Sequence, residues 1–162
     1  MSLRLCFSID NPISPEDLLT LVLAEPQLKL PQDSPRRRRE DSEGLPPIVE
    51  SHVVTSELDF VITVSAESKN WREITAETTG VSPCVGLDIH YGPKIDDTGF
   101  YGLFPYLLKQ LEGDALLTYD GAWPLLLRKD GLITIEPDST YCTDANLRAQ
   151  LPPPVLEGKI PW

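Results

Sequence analysis

Asp88 and His90 lie two positions apart in the segment "CVGLDIHY", residues 84–91, and their side chains could act together. Apolar and polar residues alternate along this segment, which predicts a strand with both side chains on one face. A carboxylate and an imidazole placed in this way could bind a metal ion, or they could be a polar pair that faces solvent. No third ligand stands at motif spacing, so we expect the solvent-facing pair, with no metal and no other cofactor.

The three cysteines, Cys6, Cys84 and Cys142, form no CxxC pair and cannot all be paired within one chain. Reduced thiols are therefore expected rather than a disulfide framework. A nucleophilic pair of one cysteine with His52 or His90 is the alternative, but no local signature surrounds any of the cysteines.

The common catalytic templates are missing from the sequence. It contains no GxSxG, HExxH, GxxxxGK[ST] or GxGxxG motif, and these motifs mark many hydrolases, zinc proteases and nucleotide-binding proteins. We therefore expect a protein that is not an enzyme. A small metal-assisted enzyme that uses Asp88 and His90 stays open as the alternative, as does a non-catalytic adaptor module.

Several carboxylates stand near predicted helix caps and turns. Two of them could act as a general acid and base, but a role as cap or turn former is sufficient for each. The residues concerned are Asp96, Asp97, Asp114, Asp120 and Asp130.

The net charge favours a basic protein partner. The chain has 25 acidic and 14 basic side chains, a formal charge of −11, which disfavours nucleic acid and anionic membranes. Carboxylates steer a basic partner, and aromatic side chains near turns supply lasting affinity unless they only fill the core. The residues that we expect to contact a partner are Asp88, His90, Asp96, Asp97, Tyr101, Asp120 and Trp123.

Length and hydropathy indicate one domain that is not inserted in a membrane. With 162 residues, 41% of them hydrophobic, the chain can bury its own core, so residues 1–162 are expected to be a single domain. No stretch reaches the roughly 20 apolar residues of a membrane helix, and the first residues lack the apolar centre of a secretory signal. We therefore expect a cytoplasmic location.

The first half of the chain predicts strands around one helix. Alternation in "LRLCFSI" (3–9) and "ELDFVITVS" (57–65) predicts strands, and "SHVVTS" (51–56) could add another. In "SPEDLLTLVLAE", Ser14 is placed to cap a helix. The proline-rich and charged residues 26–47 predict a mobile loop, whose Arg36–Arg39 run could contact phosphate or, as we expect, be a solvated segment near acidic side chains.

The second half predicts a helix followed by hairpins. Apolar residues recur at helical spacing from Phe100 to Leu111, and Pro105 requires either a kink or a helix that starts near Phe104. Asp-Gly pairs between the apolar runs "ALLTY", "WPLLLRK" and "LITIE" predict a three-stranded meander, and a short helix capped by Thr143 could follow. The order of elements predicts an α+β fold with a largely antiparallel sheet of five to seven strands and two main helices packed on one face.

The segment "GFYGLFPYLLKQLEGDALLTYDGAWPLLLRKDGLITIEP" resembles the immunity proteins of the bacterial swarm-inhibition toxin systems, the Sit immunity family. The similar features are an apolar helix that leads into a "GDA-LL" strand and a "G-PLLLR-DG-L" hairpin. The likeness extends to the first strand, the "SPEDLL" helix and "LRAQLPPP", whereas residues 26–47 depart from it.

The resemblance implies an immunity-type domain that acts as a cytoplasmic antidote. Such a protein binds and neutralises one cognate bacterial toxin by stoichiometric contact, without catalysis, and the resemblance transfers no catalytic residue. A basic toxin is the expected partner, because an acidic inhibitor can occupy a basic cleft.

Overall fold

A computed structural model of the protein describes residues 2–31, 34–40, 44–55 and 58–162. The described residues form nine strands and six helices. The strands are β1 Leu3–Ile9, β2 Arg36–Arg39, β3 Ile48–Val54, β4 Asp59–Ala66, β5 Val85–Tyr91, β6 Ala115–Tyr119, β7 Trp123–Lys129, β8 Leu132–Ile135 and β9 Val155–Glu157. The helices are α1 Pro15–Leu23, α2 Lys69–Thr79, α3 Thr98–Tyr101, α4 Leu103–Gln110, α5 Thr140–Thr143 and α6 Ala145–Gln150.

All nine strands belong to one sheet, in the order β2-β3-β4-β5-β1-β6-β7-β8-β9. Only the pairing of β8 with β9 is parallel; every other neighbouring pair is antiparallel. The prediction of an α+β fold with a largely antiparallel sheet is therefore confirmed. The expected five to seven strands are too few, because β2 and β9 extend the sheet at both edges.

The two faces of the sheet differ, as the side chains of the central strand β1 show. Leu5, Phe7 and Ile9 are fully buried on one face, which we call the core face. Helix α1 packs on this face against β3 and β4. Its cap is the predicted one, because Ser14 accepts a hydrogen bond from the backbone N–H of Asp17 at 3.1 Å.

Pro105 resolves the two alternatives for the apolar helix. A short α3 ends at Tyr101, and α4 begins afresh at Leu103. Pro105 is thus the third residue of α4, in the first turn, where the missing N–H removes no intrahelical hydrogen bond. The helix starts close to Phe104, as the second alternative predicted.

The Arg36–Arg39 run corrects the prediction of a loop over residues 26–47. These four residues form the edge strand β2, which pairs with β3, while residues 32–33 and 41–43 of the predicted loop lie outside the described residues. Composition alone suggested a loop because every residue of the run is charged. Successive side chains of this strand point to opposite faces of the sheet. The Arg38 guanidinium therefore lies 3.0 Å from the Glu16 carboxylate of α1, and the Arg39 guanidinium lies 3.0 Å from the Glu50 carboxylate of β3.

Helix α2 was not predicted and lies on the face opposite the core. Its ends carry Ser68, which caps the first turn, and Gly80, which adopts the left-handed conformation with φ 76°. The Trp71 indole of α2 donates a hydrogen bond to Ser8 Oγ at 3.2 Å, and Ser8 alternates with the core residues of β1. The prediction of two main helices on one face did not include α2, which covers part of the other face.

The C-terminal third contains both predicted Asp-Gly turns. Asp120 and Gly121 connect β6 with β7, Asp130 and Gly131 connect β7 with β8, and all four have positive φ. A short helix follows as expected, but the cap of α6 is Asp144 rather than Thr143, since its carboxylate accepts from two backbone N–H groups of that helix. None of the helices in the described ranges is long and apolar enough to cross a membrane.

Candidate functional site

The sheet face opposite the core carries a polar groove of about 280 Å³. Its floor comes from three adjacent strands, because Cys6 of β1 pairs with Asp88 of β5, which pairs in turn with Thr63 of β4. Helix α2 and the β6–β7 turn border it. The side chains that carry its chemistry are Arg4, Ser8, Glu67, Trp71, Asp88 and Asp120; we call this site the groove.

Glu67 is held in the groove by a chain of hydrogen bonds. The Trp71 indole N–H donates to Ser8 Oγ at 3.2 Å, and the Ser8 hydroxyl donates to Glu67 Oε1 at 2.6 Å. The carboxyl lies directly over Gly86, where a Cβ atom would overlap it. Isolated glycines inside strands often mark such close approaches.

The protonation of Glu67 follows from this position. Burial raises the pKa of its carboxyl from 4.5 to about 7, the nearby charge of Asp88 adds to the rise, and the Ser8 hydrogen bond opposes it. Among the described residues, Glu67 forms no ion pair with a lysine or arginine. The groove therefore contains a carboxyl that lacks a cationic partner.

Arg4 and the β6–β7 turn border another part of the groove. The guanidinium of Arg4 lies 3.8 Å from the Asp88 carboxylate (Nη1 to Oδ2), and the backbone N–H of Asp120 donates to the Arg4 carbonyl at 2.7 Å. Arg4 also lies beside Gly121. Two predicted contact residues, Asp88 and Asp120, thus border one groove although 32 positions separate them in the sequence.

His90 lies on the same sheet face as Asp88, as predicted. Its Nε2 atom is 3.4 Å from the Thr63 hydroxyl, and burial lowers the pKa of the imidazole below its ordinary value of 6.5. Within the described ranges, no group of three or more His, Cys, Asp and Glu side chains could hold a metal ion.

The three cysteines are free thiols with raised pKa values. Burial raises the pKa of Cys6 to about 12. Hydrogen bonds to carboxylates raise the pKa of the other two, Cys84 to Asp10 and Cys142 to Glu157. A thiol needs a lowered pKa to act as a nucleophile at neutral pH, so these environments do not favour nucleophilic chemistry.

The carboxylates of Asp96 and Asp97 have structural partners outside the groove. Asp96 accepts hydrogen bonds from the backbone N–H and the hydroxyl of Thr98, which lowers the pKa of its carboxyl. Asp97 accepts from the Tyr91 hydroxyl at 2.8 Å. Both carboxylates therefore already accept hydrogen bonds at the start of α3.

Tyr101 is a correction to the predicted contact residues. Its side chain is 7% exposed and packs edge-on against Tyr141, whose hydroxyl donates to the Tyr101 carbonyl. Its ring belongs to the core because it continues the apolar side of α3 and α4. We remove Tyr101 from the contact surface.

Trp123 is the most exposed large apolar residue of the described chain, at 65%. It begins β7, directly after the turn that contributes Asp120 and Gly121 to the groove. This exposure excludes the role of core plug for Trp123, and the role of partner anchor stays a prediction.

Sequence reasoning missed the residues that shape the groove most. Glu67 and Trp71 lie in a segment that was not assigned to an element, and Arg4 and Ser8 were seen only as the polar side of a strand. Gly86 was the local signal in the sequence that could have pointed to this groove, because a lone glycine inside a strand pattern indicates a bulge or a group packed closely against the backbone.

Compared with known protein families, curated proteins and solved structures, the chain matches none of them.

Proposed function

We propose that this protein is an immunity protein that binds and neutralises a cognate bacterial toxin by stoichiometric protein–protein contact. The observation that carries the proposal is Trp123, which is 65% exposed in the β6–β7 hairpin whose turn borders the groove. Large aromatic side chains supply much of the affinity at protein interfaces. An exposed tryptophan in a hairpin that also borders an acidic groove therefore supports binding of another protein.

The charge of the chain defines the expected partner. A formal charge of −11 accelerates encounter with a basic protein and repels nucleic acid and anionic lipid. In this proposal the partner is a basic toxin and the antidote acts in the cytoplasm, where free cysteines stay reduced.

The proposed contact surface lies around the β6–β7 hairpin. Asp88 and His90 lie on the open sheet face and Asp120 lies in the turn. Trp123 pairs with Tyr119, which pairs with Leu5 of the core face, so its side chain lies at the same hairpin on the other side of the sheet. Asp96 and Asp97 contribute charge at long range, because their carboxylates already accept hydrogen bonds from Thr98 and Tyr91.

Co-purification with the product of the neighbouring toxin-like gene tests the proposal. We expect a complex of fixed stoichiometry that forms without turnover and abolishes the activity of the toxin. If the two proteins do not associate, or if the complex leaves the toxin fully active, the proposal fails. A stable complex without inhibition would instead support an adaptor module.

A small metal-assisted enzyme is the second candidate function. Asp88 and His90 share one sheet face, and the lowered pKa leaves His90 neutral, the form that binds metals. Metal analysis of the purified protein and of a His90→Ala variant tests this candidate. Stoichiometric metal that the variant loses would support it.

A further inference from the structure

We infer that the groove binds one arginine side chain of the protein partner, with the Glu67 carboxylate as its counter-ion and the Trp71 indole as an adjoining wall. The identity of the partner rests on the immunity function proposed above, whereas the arginine site rests on the geometry and electrostatics of the groove.

The burial of Glu67 has a cost in the free protein. A desolvated carboxyl without a cation destabilises the charged form, and the raised pKa records this cost. The Ser8 hydrogen bond favours the charged form, but it does not offset the desolvation, so the pKa stays raised. A cation from outside would complete the site.

The carboxyl of Glu67 is preorganised for binding. Hydrogen bonds from Trp71 to Ser8 and from Ser8 to Glu67 fix the carboxyl, and the space over Gly86 accommodates it. A carboxylate held in place before binding loses little side-chain entropy when the partner arrives.

The chemistry of the groove lining favours a guanidinium. The carboxylates of Glu67, Asp88 and Asp120 outnumber the single guanidinium of Arg4. A planar guanidinium can pair with a carboxylate through two hydrogen bonds and also stack on an indole, so arginine fits better than lysine. The volume of about 280 Å³ lies just below the roughly 300–1,000 Å³ of small-molecule sites, which suits one side chain.

Binding of the cation is linked to release of a proton from Glu67. With a pKa of about 7, the carboxyl is partly protonated at neutral pH, and an adjacent guanidinium favours its charged form. The charged and titratable side chains that line the groove with Glu67 come from β1, β5 and the β6–β7 turn; they are Arg4, Cys6, Asp88 and Asp120. From α2, Lys69, Arg72 and Glu73 line a separate pocket that Glu67 also borders.

The test uses N-acetyl-arginine amide as probe and the indole N–H resonances of the ¹⁵N-labelled protein as readout. Trp71 should shift saturably, with a dissociation constant on the order of millimolar, as expected for so small a ligand. The neutral isostere N-acetyl-citrulline amide should not produce this shift, and Trp123 serves as the internal reference.

Two variants make the result specific. Glu67→Gln should weaken probe binding by about tenfold or more, because it removes a charge-assisted pair, and Gly86→Ala should do the same by displacing the carboxyl without changing the charge. Amide spectra verify that both variants fold. In the wild type, the probe should also lower the pKa of Glu67, measured from its carboxyl ¹³C shift.

The arginine site is overturned if Trp71 shows no saturable shift with the probe, or if both variants bind the probe as the wild type does. These outcomes are separate from the fate of the immunity proposal. If the probe binds and the toxin-like neighbour does not, the arginine site stands and the immunity proposal fails. If the toxin binds and the probe leaves the Trp71 resonance unchanged, the immunity proposal stands and the arginine site fails.

Discussion

The carboxyl of Glu67 lies directly over Gly86, so close that a methyl group on Gly86 would overlap Glu67 Oε1. This relationship explains why a strand interior contains a residue that weakens strands. Gly86 does not have a positive φ, so its backbone does not require glycine. The absence of a side chain at Gly86 instead leaves room for the Glu67 carboxyl, which the fold alone does not need.

Glu67→Gln should stabilise the protein at pH 8 and lose that advantage as the pH falls to 5. Below about pH 4.5 the carboxyl is protonated in the folded and unfolded states alike, so its burial has no pH-dependent cost. Between 4.5 and 7 the unfolded chain releases the proton first, and the wild-type free energy of unfolding falls as the pH rises. A rise from 4.5 to about 7 corresponds to about 3 kcal/mol at most.

Urea denaturation of wild type and Glu67→Gln at both pH values measures this difference, in which all other titrating groups cancel. Gly86→Ala is the matched control, because it keeps the charge and displaces the carboxyl into solvent. Its stability relative to wild type should change with pH in the same direction. Parallel pH profiles for all three proteins would contradict the proposed burial of Glu67.

Arg128→Met should destabilise the protein by on the order of 3 kcal/mol, because several buried acceptors would lose their donors. Arg128 is 7% exposed, and its guanidinium donates to the carbonyls of Leu108, Leu111 and Gly113 at 2.6–2.7 Å. It thereby attaches the end of α4 to strand β7.

The midpoint and slope of urea unfolding give the effect of Arg128→Met. Arg128→Lys should fall between wild type and methionine, since one ammonium cannot reproduce the fork of a guanidinium. Arg72, which is exposed on α2, offers the control: Arg72→Met should change stability by less than about 0.5 kcal/mol. Equal effects at the two positions would refute the role of Arg128.

The sequence predicted the elements whose local pattern agrees with their burial. Ser14 and Pro15 identified the start of α1, and the two Asp-Gly pairs identified turns that need positive φ. Helix α2 was not predicted because it has no apolar stripe: only Thr75 and Thr79 are buried along it. Its start and end were still encoded by local caps.

The site was less predictable because its residues meet only through strand pairing. Asp88 was identified from one strand, but the depth of Glu67 depends on β1, β5 and α2 together. The Arg36–Arg39 strand was missed for the same reason. It forms because it pairs with β3, and the composition of the run does not indicate this pairing. Tyr101 could have been assigned to the core, since it adjoins the periodic apolar residues of α3 and α4.

Asp120→Asn should slow association with the toxin at low salt, by a severalfold reduction in the association rate constant. Asparagine tolerates the left-handed conformation of this turn, where Asp120 has φ 51°, so the change removes charge and retains the backbone. Long-range steering is screened by salt, and the variant should accordingly show a weaker salt dependence. Stopped-flow mixing at two ionic strengths measures both.

The control for this variant is Glu77→Gln, which removes the same charge from the exposed side of α2. The two variants have equal net charge, so a difference between their rates reports local charge at the groove. Identical rate constants and salt slopes would remove Asp120 from the contact surface.

Trp123→Ala should weaken binding of the toxin by about tenfold or more, as is typical of tryptophan anchors, and leave the free protein nearly as stable as wild type. The side chain is 65% exposed, so its removal opens little space in the core. Calorimetric titration gives the affinity and urea denaturation the stability. Ile74→Ala is the control, because Ile74 is 50% exposed on α2 and should change neither quantity. If Trp123→Ala binds the toxin as tightly as Ile74→Ala does, Trp123 is not the anchor of this interface.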